Sequence, residues 1–484
     1  MTDASPQDPT VQELVELALA AATLPVCVHL TERWEANLRW AANALTTNGE
    51  MHSRTLTVVA TAPVEGGTAV GTVSRELSGS EEVAAVVAAA EQAARSGPPS
   101  ENAAPLLGAD APAPEWPEPP ATTSIEVLQQ LAQDLGAAFA QAVTDGRLLY
   151  GFAEHIVTTS YLGSSAGLRR RGVQPTGRFE FNGKTADLGA SAWVGAATRD
   201  FTDVDVAAGY AELGTRLGWA STRVELPPGR YETLLPPGAV ADLMIYAYWT
   251  ANARDAEEGR NVYAAGEGRT RIGQRLSPLP LTLRSDPATP GLETVPFVDT
   301  TATADGTSWV FDAGLEVPAT SWVTGGVLTE LVRNRAQAAK TGLRATPPAD
   351  NLIMELGELI LPDGAGPTPG ETSQGQASLA EMISTTKRGL LLTCLWYIRE
   401  VDPERLLLTG LTRDGVYLVE DGQVTGAVNN FRFNESPIEL LGRITEVGAP
   451  EQTLCREWND FFNRTVMPPV RVPDFVMSTV SQAS

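Results

Sequence analysis

The sequence predicts an α+β protein in which an N-terminal α/β domain, residues 1–225, precedes a β-rich C-terminal domain, residues 226–484. Three observations carry this expectation. Helical and alternating apolar patterns interleave through the first part of the chain. The string Leu226-Pro227-Pro228-Gly229 then interrupts it. Beyond one apolar helix, Pro and Gly punctuate a series of short strand-like runs.

Val11, Leu14, Leu17, Ala18 and Ala21 share one helical face, which predicts a helix over 11–22. From Cys27 to Trp40 the pattern changes to a strand: Ala36, Leu38 and Trp40 alternate with Asn37 and Arg39. Thr47-Asn48-Gly49 reads as the turn that follows, because Asn-Gly adopts positive φ readily. Arg54 to Thr61 and Gly67 to Leu77 continue as strands. Ser80 before Glu81 and Glu82 marks a helix start running to about Ala94, a hydroxyl cap with carboxylates at the positive dipole end. The segment 97–120 is rich in proline, which fixes φ and removes amide donors, so it reads as a linker or extended surface loop. Thr123 and Glu126 form a capping-box pattern ahead of Leu128, Leu131, Leu135 and Phe139 at helical spacing. Strands follow at 148–161 and 177–194, then a helix at 204–218.

In the second part, 238–256 reads as a buried helix and 329–342 as another. The stretch 365–376 reads as a loop. Asp421-Gly422 between Val416–Glu420 and Val424–Phe433 is a hairpin signal.

Composition narrows the function. Thirty-five basic against 59 acidic residues give a net charge of −24, a surface that repels phosphate backbones, so no nucleic-acid partner is expected. The most apolar stretch, 239–251, contains Asp242 and is shorter than the ~20 residues of a membrane span, so no membrane is expected. Three isolated cysteines and a start without basic or apolar leader regions suggest a cytoplasmic protein. The histidines His29, His52 and His155 are too far apart for any helix to present a pair to a metal, and no CxxC occurs.

Three colinear regions carry a resemblance. The first is Tyr161-Leu162-Gly163-Ser164-Ser165-Ala166-Gly167-Leu168, preceded by Glu154-His155. The second is the helix after Leu235-Pro236-Pro237-Gly238, leading to Gly259-Arg260-Asn261-Val262-Tyr263. The third runs from Ser378 to Leu390, then 410–420 and 422–430. In order and spacing the chain resembles the TldD/PmbA family over most of its length, and its PmbA (TldE) side more than its TldD side. The resemblance implies a specific arrangement. TldD-type subunits carry His-Glu-x-x-x-His on a buried helix plus a distant Cys, holding a metal that hydrolyses peptides. PmbA-type subunits share the fold, lack the ligands, and pair with a TldD-type chain around an enclosed active site. Here the corresponding helix reads Ala241-Asp242-Leu243-Met244-Ile245-Tyr246-Ala247-Tyr248-Trp249, with no histidine. No catalytic residue and no metal ligand is carried over. The implied function is a non-catalytic subunit of a cytoplasmic peptide hydrolase. No cofactor is expected in this chain, zinc is expected in the TldD-like partner, and small or unfolded peptides are the expected substrate.

The residues leave other readings open. Asn429-Asn430-Phe431-Arg432-Phe433 offers amides and a guanidinium that could bind an extended peptide, so Asn429, Asn430 and Arg432 are candidate substrate-binding residues; a self-satisfied turn is the alternative. Arg260 is a candidate for a peptide carboxylate, or a loop clamp. Asp255-Ala256-Glu257-Glu258 reads as a solvated helix end. Arg169-Arg170-Arg171 reads as a solvated edge strand, with Arg170 pointing opposite to the other two. His155 or Cys394 could serve a self-sufficient hydrolase without metal, although Cys394 lies in an apolar run and His155 lacks an evident nucleophile. A homodimeric binding or regulatory protein is the third alternative.

Overall fold

The computed structural model describes residues 9–109, 111–299, 310–357 and 375–481. The expected α+β class is what it shows. Six long strands form the first sheet: β1 (Val26–Ala41), β2 (Ala44–Val64), β3 (Gly67–Glu76), β4 (Arg147–Ser164), β5 (Arg169–Thr185) and β6 (Ser191–Thr198). Their order is β3-β2-β1-β4-β5-β6, and every neighbouring pair is antiparallel.

Four helices cover one face of this sheet in two pairs. Helices α1 (Val11–Ala21) and α2 (Val83–Ser96) pack on Val28, Leu30, Leu56 and Val58. Helices α3 (Gln129–Thr144) and α4 (Val206–Trp219) pack on Leu38, Trp40, Phe179 and Phe181. Between the pairs runs the proline-rich segment, held as a strap. Tyr161 Oη donates to Glu118 O at 2.6 Å, Arg171 to Pro119 O at 2.6 Å, and Ala121 N to Thr159 Oγ1 at 3.0 Å. The basic run is therefore not a solvated edge. Arg169 pairs with Glu16 and lies over the Trp116 ring, Arg171 lies over Tyr161, and Arg170 reaches Glu316 from the opposite face.

The C-terminal part holds two further sheets. One has six strands in the order Val327–Leu328, Thr320–Thr324, Leu281–Ser285, Leu352–Leu356, Thr465–Met467 and Glu451–Thr453. The other runs from the edge strand Trp396–Asp402 through Leu407–Leu411, Phe431–Glu435, Val470–Val480, Gly229–Leu235, Arg388–Leu392, Val416–Glu420 and Gln423–Val428 to Arg223–Val224. Helix α5 (Pro237–Trp249) shares one core with both. Its buried residues Leu243, Met244 and Ile245 join Leu283 and Trp322 of the first sheet and Leu390, Phe433 and Val472 of the second. A helix apolar on all sides has no face to give to water.

Several local expectations are corrected. The β1–β2 turn is Ala42-Asn43, both at positive φ, while Asn48 and Gly49 lie within β2 opposite Leu38 and Asn37. Asn43 is the better-held turn residue: its Nδ2 donates to Arg147 O at 2.8 Å and its Oδ1 accepts from Leu149 N at 2.7 Å. Ser80 does not cap α2. A 3₁₀ turn, Ser80–Glu82, intervenes, with Gly79 in the cap position and no side-chain bond. Ser124, not Thr123, caps the turn before α3, because Thr123 is taken by His155. The strand expected over 177–194 is two strands, β5 and β6, separated by a turn in which Leu188 has positive φ. The helix expected over 238–256 stops at Trp249, and Asn252 caps a separate short helix, Ala253–Glu257. Of 329–342 only Arg335–Thr341 is helical, since Arg333 is drawn into a bridge with Thr346. The Asp421-Gly422 hairpin forms, both residues at positive φ. The loop expected at 365–376 lies almost wholly outside the described residues.

These corrections set a measurable contrast. Asn43→Ala should lower the free energy of unfolding by about 1–3 kcal/mol, leaving Leu149 N without its acceptor. Asn48→Ala, whose site is an ordinary strand position, should cost a few tenths of that. Denaturant titration of the two variants checks it.

Candidate functional site

The place to test for a metal is α5 and whatever faces it. Asp242, in its second turn, is fully buried. Its Oδ1 accepts from Glu457 N at 2.8 Å, and its Oδ2 from Arg456 N at 3.3 Å. Its own backbone oxygen accepts from Trp458 Nε1 at 2.9 Å. The carboxyl thus clamps the loop 455–462 from within the core. Burial pushes its pKa up to about 8, against the pull of the two amides.

The loop begins at Cys455, buried, with its Sγ 3.2 Å from Phe462 O. Burial drives the thiol well up, and the Asp242 charge pushes the same way. A thiol so disfavoured as thiolate is a poor metal donor or nucleophile. Arg456 follows. Its guanidinium sits 3.8 Å from the Trp396 ring centre and 4.8 Å from that of Trp193, and donates to Glu180 Oε2 at 2.6 Å. On the same face of the first sheet, Arg178 bonds Asn459 Oδ1 at 2.6 Å, Glu154 at 3.2 Å, and Asp460. Glu457 turns the other way: it accepts from Tyr397 N at 2.9 Å and Ile398 N at 3.0 Å. One loop therefore joins α5, β5 and the edge strand Trp396–Asp402.

The three histidines lie on the first sheet, on β1, β2 and β4. His29 is buried and pushed down to about 4 by desolvation. His52 stacks on Trp34 at 4.2 Å and bonds Glu32 at 2.9 Å. His155 has both nitrogens engaged, Nδ1 with Thr123 Oγ1 at 2.7 Å and Nε2 with Arg199 O at 2.8 Å, and burial lowers its pKa. Among the described residues no three His, Cys, Asp or Glu side chains converge as an ion would require. The donor set on α5 does not fit zinc.

The residue-by-residue expectations separate. Asn429 and Asn430 come together in a cleft of about 300 Å³ lined also by Ser191, Arg223, Asp414 and Tyr417. Asn429 Oδ1 accepts from Leu226 N at 2.7 Å, while its buried Nδ2 has no partner among the described residues. Arg432 is exposed on its strand, near Thr409 Oγ1, and does not line that cleft. Arg260 is held by Asp255 and Glu258, each at 2.6 Å, so the acidic run is a clamp around it. Cys394 is buried beside Trp193 and Leu454, its thiol pushed up to about 12, and so is a core residue. The 455–462 loop escaped sequence reasoning. Its density of charged and aromatic residues, Arg456-Glu457-Trp458-Asn459-Asp460-Phe461-Phe462, was the available signal.

The sequence profile of the PmbA/TldA metallopeptidase C-terminal domain matches residues 228–479. The chain belongs to the TldD/PmbA family. Solved structures with the same fold as this TldD/PmbA chain include TldE from Thermococcus kodakarensis, 16% identical, covering 96% of this chain and 99% of that one with a TM-score of 0.72. A Thermotoga maritima structure described as a candidate modulator of a DNA gyrase is 16% identical, covers 96% and 100%, and has a TM-score of 0.71. One from Bacteroides thetaiotaomicron with a similar description is 14% identical, covers 97% and 98%, and scores 0.69. No curated protein sequence matches the chain.

The Asp242 clamp generates a pH prediction. In the unfolded chain this carboxyl titrates near 4; in the folded one, near 8. Between those values the folded state holds the extra proton, so its contribution to stability falls as pH rises from about 4 to about 8. Asp242→Asn should flatten that slope in thermal melts across the window. Asp242→Leu should destabilise at every pH by about 1–3 kcal/mol for each amide left unpaired.

Proposed function

We propose that this chain is the metal-free, TldE-like subunit of a two-chain metallopeptidase, pairing with a TldD-like chain that carries the zinc. The observation that supports it most directly is Asp242. The one carboxyl on α5 is consumed as acceptor for the Arg456 and Glu457 amides, and no imidazole stands beside it. The scaffold on which metal-bearing relatives would hold an ion is used here to fasten a loop. The reading assigns the hydrolytic water and its activation to the partner. It assigns to this chain one wall of the enclosure, a role that needs surface shape and polar groups more than titrating ones. Small or unfolded peptides are the substrate class in this reading, and the Asn429–Asn430 cleft is the place on this chain for a peptide segment.

The test is reconstitution. The chain alone, supplied with zinc, should show no chelator-sensitive cleavage of unstructured peptides. Mixed with the His-Glu-x-x-x-His chain of the same genome, it should raise that chain's chelator-sensitive rate. Cys455→Ser here should leave the rate of the mixture unchanged. Zinc-dependent cleavage by the chain on its own would sink the assignment.

A further inference from the structure

Three of the large apolar side chains that stand in solvent gather at one place. Trp249, Tyr397 and Phe461 are 43%, 53% and 77% exposed. They are joined through the loop that Asp242 fastens. Trp249 meets Trp458 at 5.3 Å, Tyr246 meets Trp458 at 5.5 Å, and Phe461 N donates to Trp458 O at 2.9 Å. Tyr397 N donates to Glu457 in the same loop. The result is an aromatic ridge across the end of α5, the loop and the edge strand Trp396–Asp402. We propose that this ridge is the docking surface for a second, different folded subunit; the proposal rests on the pairing reading above and names the surface it uses.

Three features select that occupant. First, the ridge borders an open strand edge, where an extended peptide would ordinarily add. That edge is closed against it: the Glu457 carboxylate takes the amides of Tyr397 and Ile398, and the Tyr246 phenol oxygen faces the amide of Glu400. What remains is side-chain surface, which suits a folded partner. Second, tryptophan, tyrosine and phenylalanine are the side chains that anchor protein interfaces, and Tyr397 is held outward at φ +50°, a conformation that costs a non-glycine residue energy. Third, a second copy would bring two chains of net charge −24 together, a repulsion that a less acidic partner does not meet.

The experiment titrates the purified full chain with the purified His-Glu-x-x-x-His chain of the same genome, by calorimetry and sedimentation. Phe461→Glu and Tyr397→Glu should each raise Kd by at least about tenfold, as loss of an anchor does. Val143→Glu, at a 69% exposed position on α3, should leave it unchanged. Thermal melts of all three should match the parent, which separates lost docking from lost fold. If the parent binds and both ridge variants bind equally well, the ridge proposal is overturned while the pairing stands. If the parent forms no complex, the pairing reading itself fails. If the parent self-associates and Phe461→Glu abolishes that, a second copy is the occupant and the proposal is overturned in favour of a homodimer.

Discussion

The C-terminal part of this protein is organised by one constraint: α5 must be covered on every side. Ten residues of the thirteen in this helix are buried, including side chains that point in every direction around its axis. Each fully buried Leu, Ile or Met contributes roughly 1.5–3 kcal/mol relative to exposure. Two sheets are needed to supply that cover, and the chain delivers them as the six-stranded sheet on one side and the larger sheet on the other.

Within that apolar sleeve a single carboxyl becomes decisive. An unpaired polar group there would forfeit its hydration without return. Among the described residues Asp242 is satisfied by backbone amides brought from more than two hundred residues away. Fastening them shapes the loop 455–462, and the loop in turn places Arg456 between two tryptophan rings and against Glu180 of the first sheet. The contact between the two parts of the protein is therefore ionic and aromatic at this point, and a separate apolar patch joins Phe297 and Phe311 to Leu162 and Leu168 at the other end of β4. Ion pairs of this kind lose most of their attraction to desolvation and so set orientation more than they add stability.

The same geometry shows what holds α5 to the loop that covers it. Here a carboxyl and two amides tie α5 to the residues directly after Cys455 through hydrogen bonds. The Cys455 thiol, buried and protonated, packs in the core and bonds a carbonyl.

Much of this was legible in one dimension. Helix α1, strand β1, the core-facing residues of α3 and the Asp421-Gly422 hairpin follow from periodicity and turn chemistry, because each depends on neighbours a few residues away. The absence of a histidine pair on any helix was equally plain, since spacing alone settles it. What tertiary structure decided were the matters of register and long-range partnership. Asn43 rather than Gly49 makes the first turn because Leu149 and Arg147 lie beside it. Thr123 gives up its cap because His155 competes for its hydroxyl. Arg260 is spent on its own acidic neighbours, while Asn429 opens into a cleft. The loop 455–462 has no periodicity of its own to betray it. Its form is dictated by a carboxyl, two sheets and a pair of indole rings, and a chain written out in order does not show which of its distant parts will touch.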